Sequence, residues 1–265
     1  MGETKPRTRR YHIGTEDTKV SKTRTELAKQ TSYSYEDFLE IIRILREKDG
    51  CPWDREQTHA SLKPCMMEEA AEVVAAIRIF DKTGNYENLR EELGDVMLQV
   101  VMHAQIAKEE GFFSMEDVVS EVAEKMVRRH PHIFGSVEVD TSEKVLENWE
   151  DIKKKEKEGK SYIESPLREI PYELPALTRT AKVLKKVDKL YEPMPDYASS
   201  VETLRKTADR LAELTPAAYD AEVTKLVGDT LMAVSNLSRL CKLSQEQILT
   251  DRVEDLIDHY EGGEP

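Results

Sequence analysis

Apolar residues along this chain recur at helical spacing, and no segment sustains a two-residue alternation. That pattern predicts helices throughout and no sheet. Phe38, Ile41, Ile42 and Leu45 follow a capping start at Ser34 and Asp37. "DGCPWDREQTHASLKP" then reads as a loop, with Gly50 and Pro52 as breakers. Pro64 suits a first helical turn, so a second helix is expected from about Pro64 to Phe80. After the turn "DKTGNY", a third is expected from about Tyr86 to Glu110, ended by Gly111, with Leu89, Leu93, Val96, Val100 and Ala104 as its apolar stripe. Ser114 with Glu116 and Asp117 starts a fourth, which runs to Arg129 and is stopped by Pro131. "SEKVLENWEDIKKKEKEG" is a fifth, highly charged helix, and four more are expected near 176–190, 199–213, 219–240 and 244–261. The expected fold class is all-α.

Two segments interrupt this pattern. Residues 1–30 hold eight Lys or Arg and four acids with few large apolar residues, so 1–33 is expected as a flexible basic tail. "GKSYIESPLREIPYELP", 159–175, contains three prolines and reads as a linker. The helices on either side of it look related. "ELGDVMLQVV" (92–101) parallels "LVGDTLMAVS" (226–235), and "FFSMEDVVSEVAEKMVRRH" (112–130) parallels "KLSQEQILTDRVEDLIDHY" (242–260). Residues 176–265 therefore read as a diverged copy of 34–158.

Composition narrows the class of function. The 265 residues are 39% apolar and 34% charged, with only 11 Gly and 11 Pro, which favours a helical globular protein. A net charge of −13 argues against nucleic-acid binding by bulk charge. An acidic protein that handles anions needs a local basic cluster or a metal. Cys51, Cys65 and Cys241 are odd in number and widely spaced, which fits neither a disulfide framework nor a zinc pattern and suits a reducing cytoplasm. No apolar run approaches the ~20 residues of a membrane span, and the N-terminal stretch lacks the apolar region of a secretory signal.

The carboxylates are the unusual feature. "MMEEAAEVVAAI" (66–77) carries Glu68, Glu69 and Glu72, and "EELGD" (91–95) carries Glu92 and Asp95. On a helix Glu68 and Glu72 are about 40° apart, and Glu69 and Glu72, like Glu92 and Asp95, about 60° apart. Antiparallel packing through the short turn would bring the two acidic arcs together. A solvated acidic face is one reading, yet such faces interleave Lys or Arg one turn away. None occurs in 66–77 or 91–107. The other reading is a cation site, because carboxylates crowded at a core border resist ionisation unless neutralised. Hard oxygen donors without thiolate or imidazole suit Mg²⁺ or Mn²⁺.

The pattern Glu69-x-x-Glu72, then Glu92-x-x-Asp95, resembles the metal motif of the all-α nucleoside triphosphate pyrophosphohydrolases. "GCPWDREQTH", "EEAAEV", "LREELGDVMLQVVMHAQIAKEEGFF", "RRHPHIFG" and "NWEDIKKKE" resemble, in order, segments of the MazG branch. The resemblance implies tandem MazG-like repeats with a four-helix-bundle core completed by a homodimer. It implies Mg²⁺-dependent hydrolysis of nucleoside triphosphates to monophosphate and pyrophosphate. Carried over residue by residue, Glu69, Glu72, Glu92 and Asp95 are the metal ligands. Glu68, Glu69 and Glu72 are the candidate catalytic carboxylates, Glu68 either holding a second metal or orienting water. Lys125 and Arg129, with Arg128 beside them, would contact phosphate, and Trp149 and Lys153 would complete the nucleotide site. Two structural alternatives stand beside these roles: Trp149 as a core aromatic, and Arg128, Arg129 and His130 as a basic helix end complementing the dipole. Trp53 is expected as a core plug that fixes its loop, and His130 and His132 as shaping the turn at Pro131.

The second repeat departs from the pattern. Aligned on Gly94 and Gly228, it has Leu226 in place of Glu92, while Asp229 keeps the place of Asp95. Arg205 and Lys206 fall where paired glutamates belong, and Asp255 and His259 replace Lys125 and Arg129. The second repeat is therefore expected to be catalytically silent. That loss also feeds an alternative: a non-catalytic nucleotide-binding or regulatory protein.

Overall fold

The computed structural model describes residues 22–137, 139–157, 165–214 and 220–262, and among them it is all-α. Residues 1–21 of the expected basic tail lie outside the described residues. The chain divides into two compact units, Met1–Glu156 and Lys157–Pro265. The first contains α1 (Arg24–Ala28), α2 (Tyr35–Leu45), α3 (Pro52–Glu56), α4 (Lys63–Thr83), α5 (Glu87–Glu109), α6 (Met115–Arg129), α7 (Pro131–Phe134) and nearly all of α8 (Ser142–Lys157). The second contains α9 (Ala176–Leu190), α10 (Tyr197–Glu213), α11 (Ala221–Leu240) and α12 (Gln245–Glu261).

The helix ends follow local chemistry. Ser34 and Asp37 form a reciprocal capping box on α2, with the Asp37 N–H on Ser34 Oγ at 3.1 Å and the Ser34 N–H on Asp37 Oδ2 at 3.0 Å. Ser114 and Asp117 repeat that arrangement on α6. α4 ends on Gly84 at φ 73°, whose N–H donates to Phe80 O at 2.7 Å. α5 gives way to Gly111 at φ 76°, followed by the Phe112 N–H on Ala107 O at 2.9 Å. Both glycines occupy the left-handed region, where a Cβ would be strained. The two sharp reversals return α5 along α4 and lead from α5 into α6.

The core of the first unit lies between α2, the segment before α4, and the C-terminal half of α5. Ile42, Leu62, Val101, Met102 and Ile106 are buried together, and Phe38, Leu39, Leu45, Leu98 and Met115 pack around them. The apolar stripe expected on α5 is buried or part-buried except at Leu93. Ala104 is buried, but Leu93 is 53% exposed. Both Leu93 and the exposed Met97 belong to the part of α5 that runs beside α4 rather than beneath α2, and among the described residues both side chains are left open. Val74 and Ile77 on α4 are likewise exposed.

Three further expectations are corrected. The stretch read as a loop contains the short helix α3, started by Pro52. Trp53 is not its plug: at the exposed start of α3 the residue is 62% exposed. The fixing group is Arg46, whose side chain is 6% exposed. One guanidinium edge donates to Asp54 O at 2.6 Å and Gln57 O at 3.2 Å, and the other pairs with Glu109 at 2.8 Å. A guanidinium can satisfy several carbonyls at once, which an indole N–H cannot. His59 Nδ1 also meets His103 Nδ1 at 2.7 Å, tying the same loop to α5. Residues 22–33, assigned to the tail, contain α1, whose Leu27 is buried and whose Arg24 pairs with Glu47 and Asp49 at 2.9 Å each. The described end of the linker, 165–175, is tied to α9 by a Lys186–Glu169 pair at 2.5 Å, and its Ile170 is buried.

In the second unit α10 and α11 pair antiparallel. Ser200 meets Asn236 at 2.9 Å, Thr207 meets Thr230 at 3.0 Å and Arg210 meets Glu222 at 2.7 Å, so positions climb on one helix as they descend on the other.

Candidate functional site

The antiparallel α4–α5 hairpin carries the acidic site. Glu69 on α4 and Glu92 and Asp95 on α5 each place a carboxylate oxygen within 4.8 Å of the other two. All three side chains are half-buried. Among the described residues this is the group of three whose spacing could hold a metal ion. Asn88 donates from Nδ2 to Glu92 Oε1 at 2.7 Å, one turn earlier on α5, and fixes that carboxylate. Sequence reasoning missed Asn88; its place four residues before Glu92 was the available signal.

Glu72 borders the same group. Its carboxyl is pushed above the usual range, first by partial burial and then by the charges of Glu92 and Glu69. Side-chain hydrogen bonds to those two glutamates act in the same direction. Ionised carboxylates are acceptors only, so such contacts need a proton or a cation between them. Glu68, one residue before Glu69, is exposed and stands outside the close group. The donor set is hard oxygen alone, which fits Mg²⁺ or Mn²⁺.

A second cluster joins the end of α6 to α8. Glu156 Oε1 accepts from Arg128 Nε at 2.8 Å, and Glu156 Oε2 accepts from the Arg129 Nε and terminal nitrogen at 3.1 and 2.6 Å. Its carboxyl is pushed down to about 2, chiefly by Arg129 and then by Arg128, against the effect of partial burial. The Arg129 guanidinium lies over the Trp149 ring at 5.1 Å, a cation–π distance. The His130 ring meets the same indole edge-on at 5.1 Å, and His130 Nδ1 contacts Met126 O at 2.6 Å. Trp149 is half-buried between the Arg129 guanidinium and the His130 ring rather than sunk in an apolar core. Lys125 and Lys153 are half-buried on the same two helices. Glu156 was not singled out in the sequence, although it lies seven residues after Trp149 and so on nearly the same helix face.

Among the described residues, the second unit shows no equivalent group. Asp229 pairs with Lys225 one turn away on α11, and Lys206 faces Glu202 at 3.6 Å on α10. The middle of the α10–α11 contact is a Thr207–Thr230 hydrogen bond, a neutral pair.

Comparison with known proteins identifies the family. The MazG nucleotide pyrophosphohydrolase domain matches residues 57–134, which include Glu69, Glu92 and Asp95, the bordering Glu72, and the Arg128–Arg129 pair. The nucleoside triphosphate pyrophosphohydrolase/pyrophosphatase MazG of Thermotoga maritima is 37% identical over 88% of this chain and 86% of its own length. The nucleoside triphosphate pyrophosphohydrolase of Escherichia coli (strain K12) is 38% identical over 76% of each chain. The Bacillus subtilis (strain 168) protein YabN is 42% identical over 82% of this chain, which spans 44% of YabN. Similarity of this extent, with an all-α fold and a hairpin of clustered acids, places this chain in the MazG nucleotide pyrophosphohydrolase family.

Proposed function

We propose that the first unit is a Mg²⁺-dependent nucleoside triphosphate pyrophosphohydrolase, converting triphosphate and water to monophosphate and pyrophosphate. The observation that carries it is the meeting of Glu69, Glu92 and Asp95 oxygens within 4.8 Å on one hairpin. Relatives bearing that activity in their names match most of the chain.

In this reading Glu69, Glu72, Glu92 and Asp95 hold the cation. A bound divalent cation supplies charge neutralisation at the phosphates and a more acidic water. The remaining work belongs to the chain. Asn88 keeps the Glu92 carboxylate oriented. Glu72, at the border of the group, would take a proton from water, with Glu68 next to the group to orient that water. Arg129, Lys125 and Lys153 meet the phosphate charge, and Trp149 packs near the nucleotide.

The spacing of α5 and α6 supports bringing the acids and bases into one site. Asp95 lies 14 residues before the last residue of α5, and Arg129 lies 14 residues after the first residue of α6. The two stretches rise equally, about 21 Å each at 1.5 Å per residue. If α6 folds back along α5, as a short connection allows, Arg129 comes level with Asp95. The open apolar positions Val74, Ile77, Leu93 and Met97 flank the acidic group. They support a homodimer in which a second copy covers the hairpin.

Product analysis tests the proposal: each common ribo- and deoxyribonucleoside triphosphate, with and without Mg²⁺, beside a Glu69→Gln, Glu92→Gln double variant. Metal-dependent monophosphate and pyrophosphate, lost in the variant, are expected. Nucleotide binding without turnover would replace this reading with the regulatory one.

A further inference from the structure

The contacts at the end of α6 lead from Trp149 to a residue that the nucleotide-site reading leaves without a role. On α8, Trp149, Lys153 and Glu156 lie within one arc, successive members about 40° and about 60° apart. The first and last of the three touch α6: Trp149 lies under Arg129, and Glu156 bridges Arg128 and Arg129. Lys153 stands between them on the same face. Both partners of the inner pair are largely enclosed, with 15% of the Arg129 side chain and 14% of the Glu156 side chain exposed.

The bridge also defines which part of Arg129 is left for a ligand. Its Nε and one terminal nitrogen are held by Glu156 Oε2, and its face lies over the indole. A guanidinium has five N–H donors in a rigid fork. With one edge held and one face covered, the second terminal nitrogen points away from Glu156. Glu156 stays ionised at any ordinary assay pH, so the bridge persists.

We propose that Glu156 is a positioning residue: it fastens α8 to the end of α6, so that Lys153 and Trp149 stand beside the free edge of Arg129 and the three together receive the phosphates of a nucleotide. This rests on the function proposed above. Glu156 touches neither substrate nor metal in this scheme. It acts through Arg129 and through the docking of α8.

The test uses the full chain carrying Trp53→Phe, which removes the exposed indole and leaves Trp149 as the sole tryptophan reporter. Into this parent go Glu156→Gln and Glu156→Asp. Glutamine keeps the size but gives up the charge-assisted bonds to two guanidiniums. Glu156→Gln is expected to red-shift Trp149 emission and increase its quenching by acrylamide in the nucleotide-free protein. It should raise the KM for triphosphate about 10- to 100-fold, the range for losing bonds between charged groups, with kcat changed far less. Glu156→Asp should recover part of both signals, and it serves as the reporting variant if the glutamine protein fails to fold. Emission and KM equal to the parent's would overturn the proposal. A lower KM in Glu156→Gln would also overturn it, by showing that the carboxylate competes with phosphate. A parent without metal-dependent turnover would instead remove the proposed function. The emission arm would then still decide whether Glu156 fastens α8.

Discussion

Glu69 on α4 and Asp95 on α5 hold carboxylate oxygens within 4.8 Å of one another, with Glu92 as the third member, and no Lys or Arg lies in 66–77 or 91–107. Like charges at this distance disfavour the folded hairpin unless protons or a cation intervene. Glu69→Gln and Glu92→Gln, made singly, should each reduce metal-dependent hydrolysis by more than the roughly 10- to 100-fold that loss of an outer-shell partner costs. Asn88→Ala, which frees Glu92 without removing a ligand, should fall within that range. Steady-state rates across a Mg²⁺ titration check both, and rescue of Asn88→Ala by high Mg²⁺ is expected.

Glu72 gives the metal-free protein a distinctive pH response. Its carboxyl is raised by burial and by Glu92 and Glu69. Stability from such a group is fully present below its ordinary value of 4.5 and is lost as pH rises through the higher folded value. In chelator, Glu72→Gln should therefore melt above the wild type at pH 7, and the difference should shrink as pH falls toward 4.5. Saturating Mg²⁺ should reverse the order at pH 7, because the cation binds the folded wild type more tightly. Paired thermal melts at several pH values measure this. An unchanged order on adding Mg²⁺ would argue against Glu72 as a ligand.

The second unit should be indifferent to loss of its remaining acid. Asp229 is paired with Lys225, and no group of three ligating side chains is found around it among the described residues. Asp229→Asn and Lys225→Ala should leave the turnover rate within about twofold. They should change stability by no more than about 0.5 kcal/mol, as for surface positions generally. A large loss of activity from either would move the active site into the second unit.

The loop before α4 should depend on Arg46 and not on Trp53. Trp53→Phe is expected within about 0.5 kcal/mol of wild type, since the indole is 62% exposed. Arg46→Met removes the donor shared by Asp54 O, Gln57 O and Glu109, leaving Gln57 O unpaired while Asp54 O keeps the Gln57 N–H and Glu109 keeps Gln105, and should cost about 1–3 kcal/mol. Urea denaturation of the two variants separates these roles.

The order and near-boundaries of the long helices were legible in the sequence, because helical periodicity and capping residues such as Ser34, Ser114, Gly84 and Gly111 act locally. So was the acidic group, since the angular spacing of Glu69, Glu72, Glu92 and Asp95 depends only on helix geometry and on a short turn. Tertiary structure decided what was non-local. That Leu93 is exposed while Met102 is a core residue depended on which half of α5 lies beneath α2. The choice between Trp53 and Arg46 depended on where two loop carbonyls came to rest, and hydrophobicity pointed to the wrong residue. The role of Glu156 required α8 to meet α6 across 27 residues of sequence. Within "NWEDIKKKE" it is one charge among many. Its partners exist only once the chain has folded, because a side chain's periodicity fixes the face it occupies and packing alone fixes what that face meets.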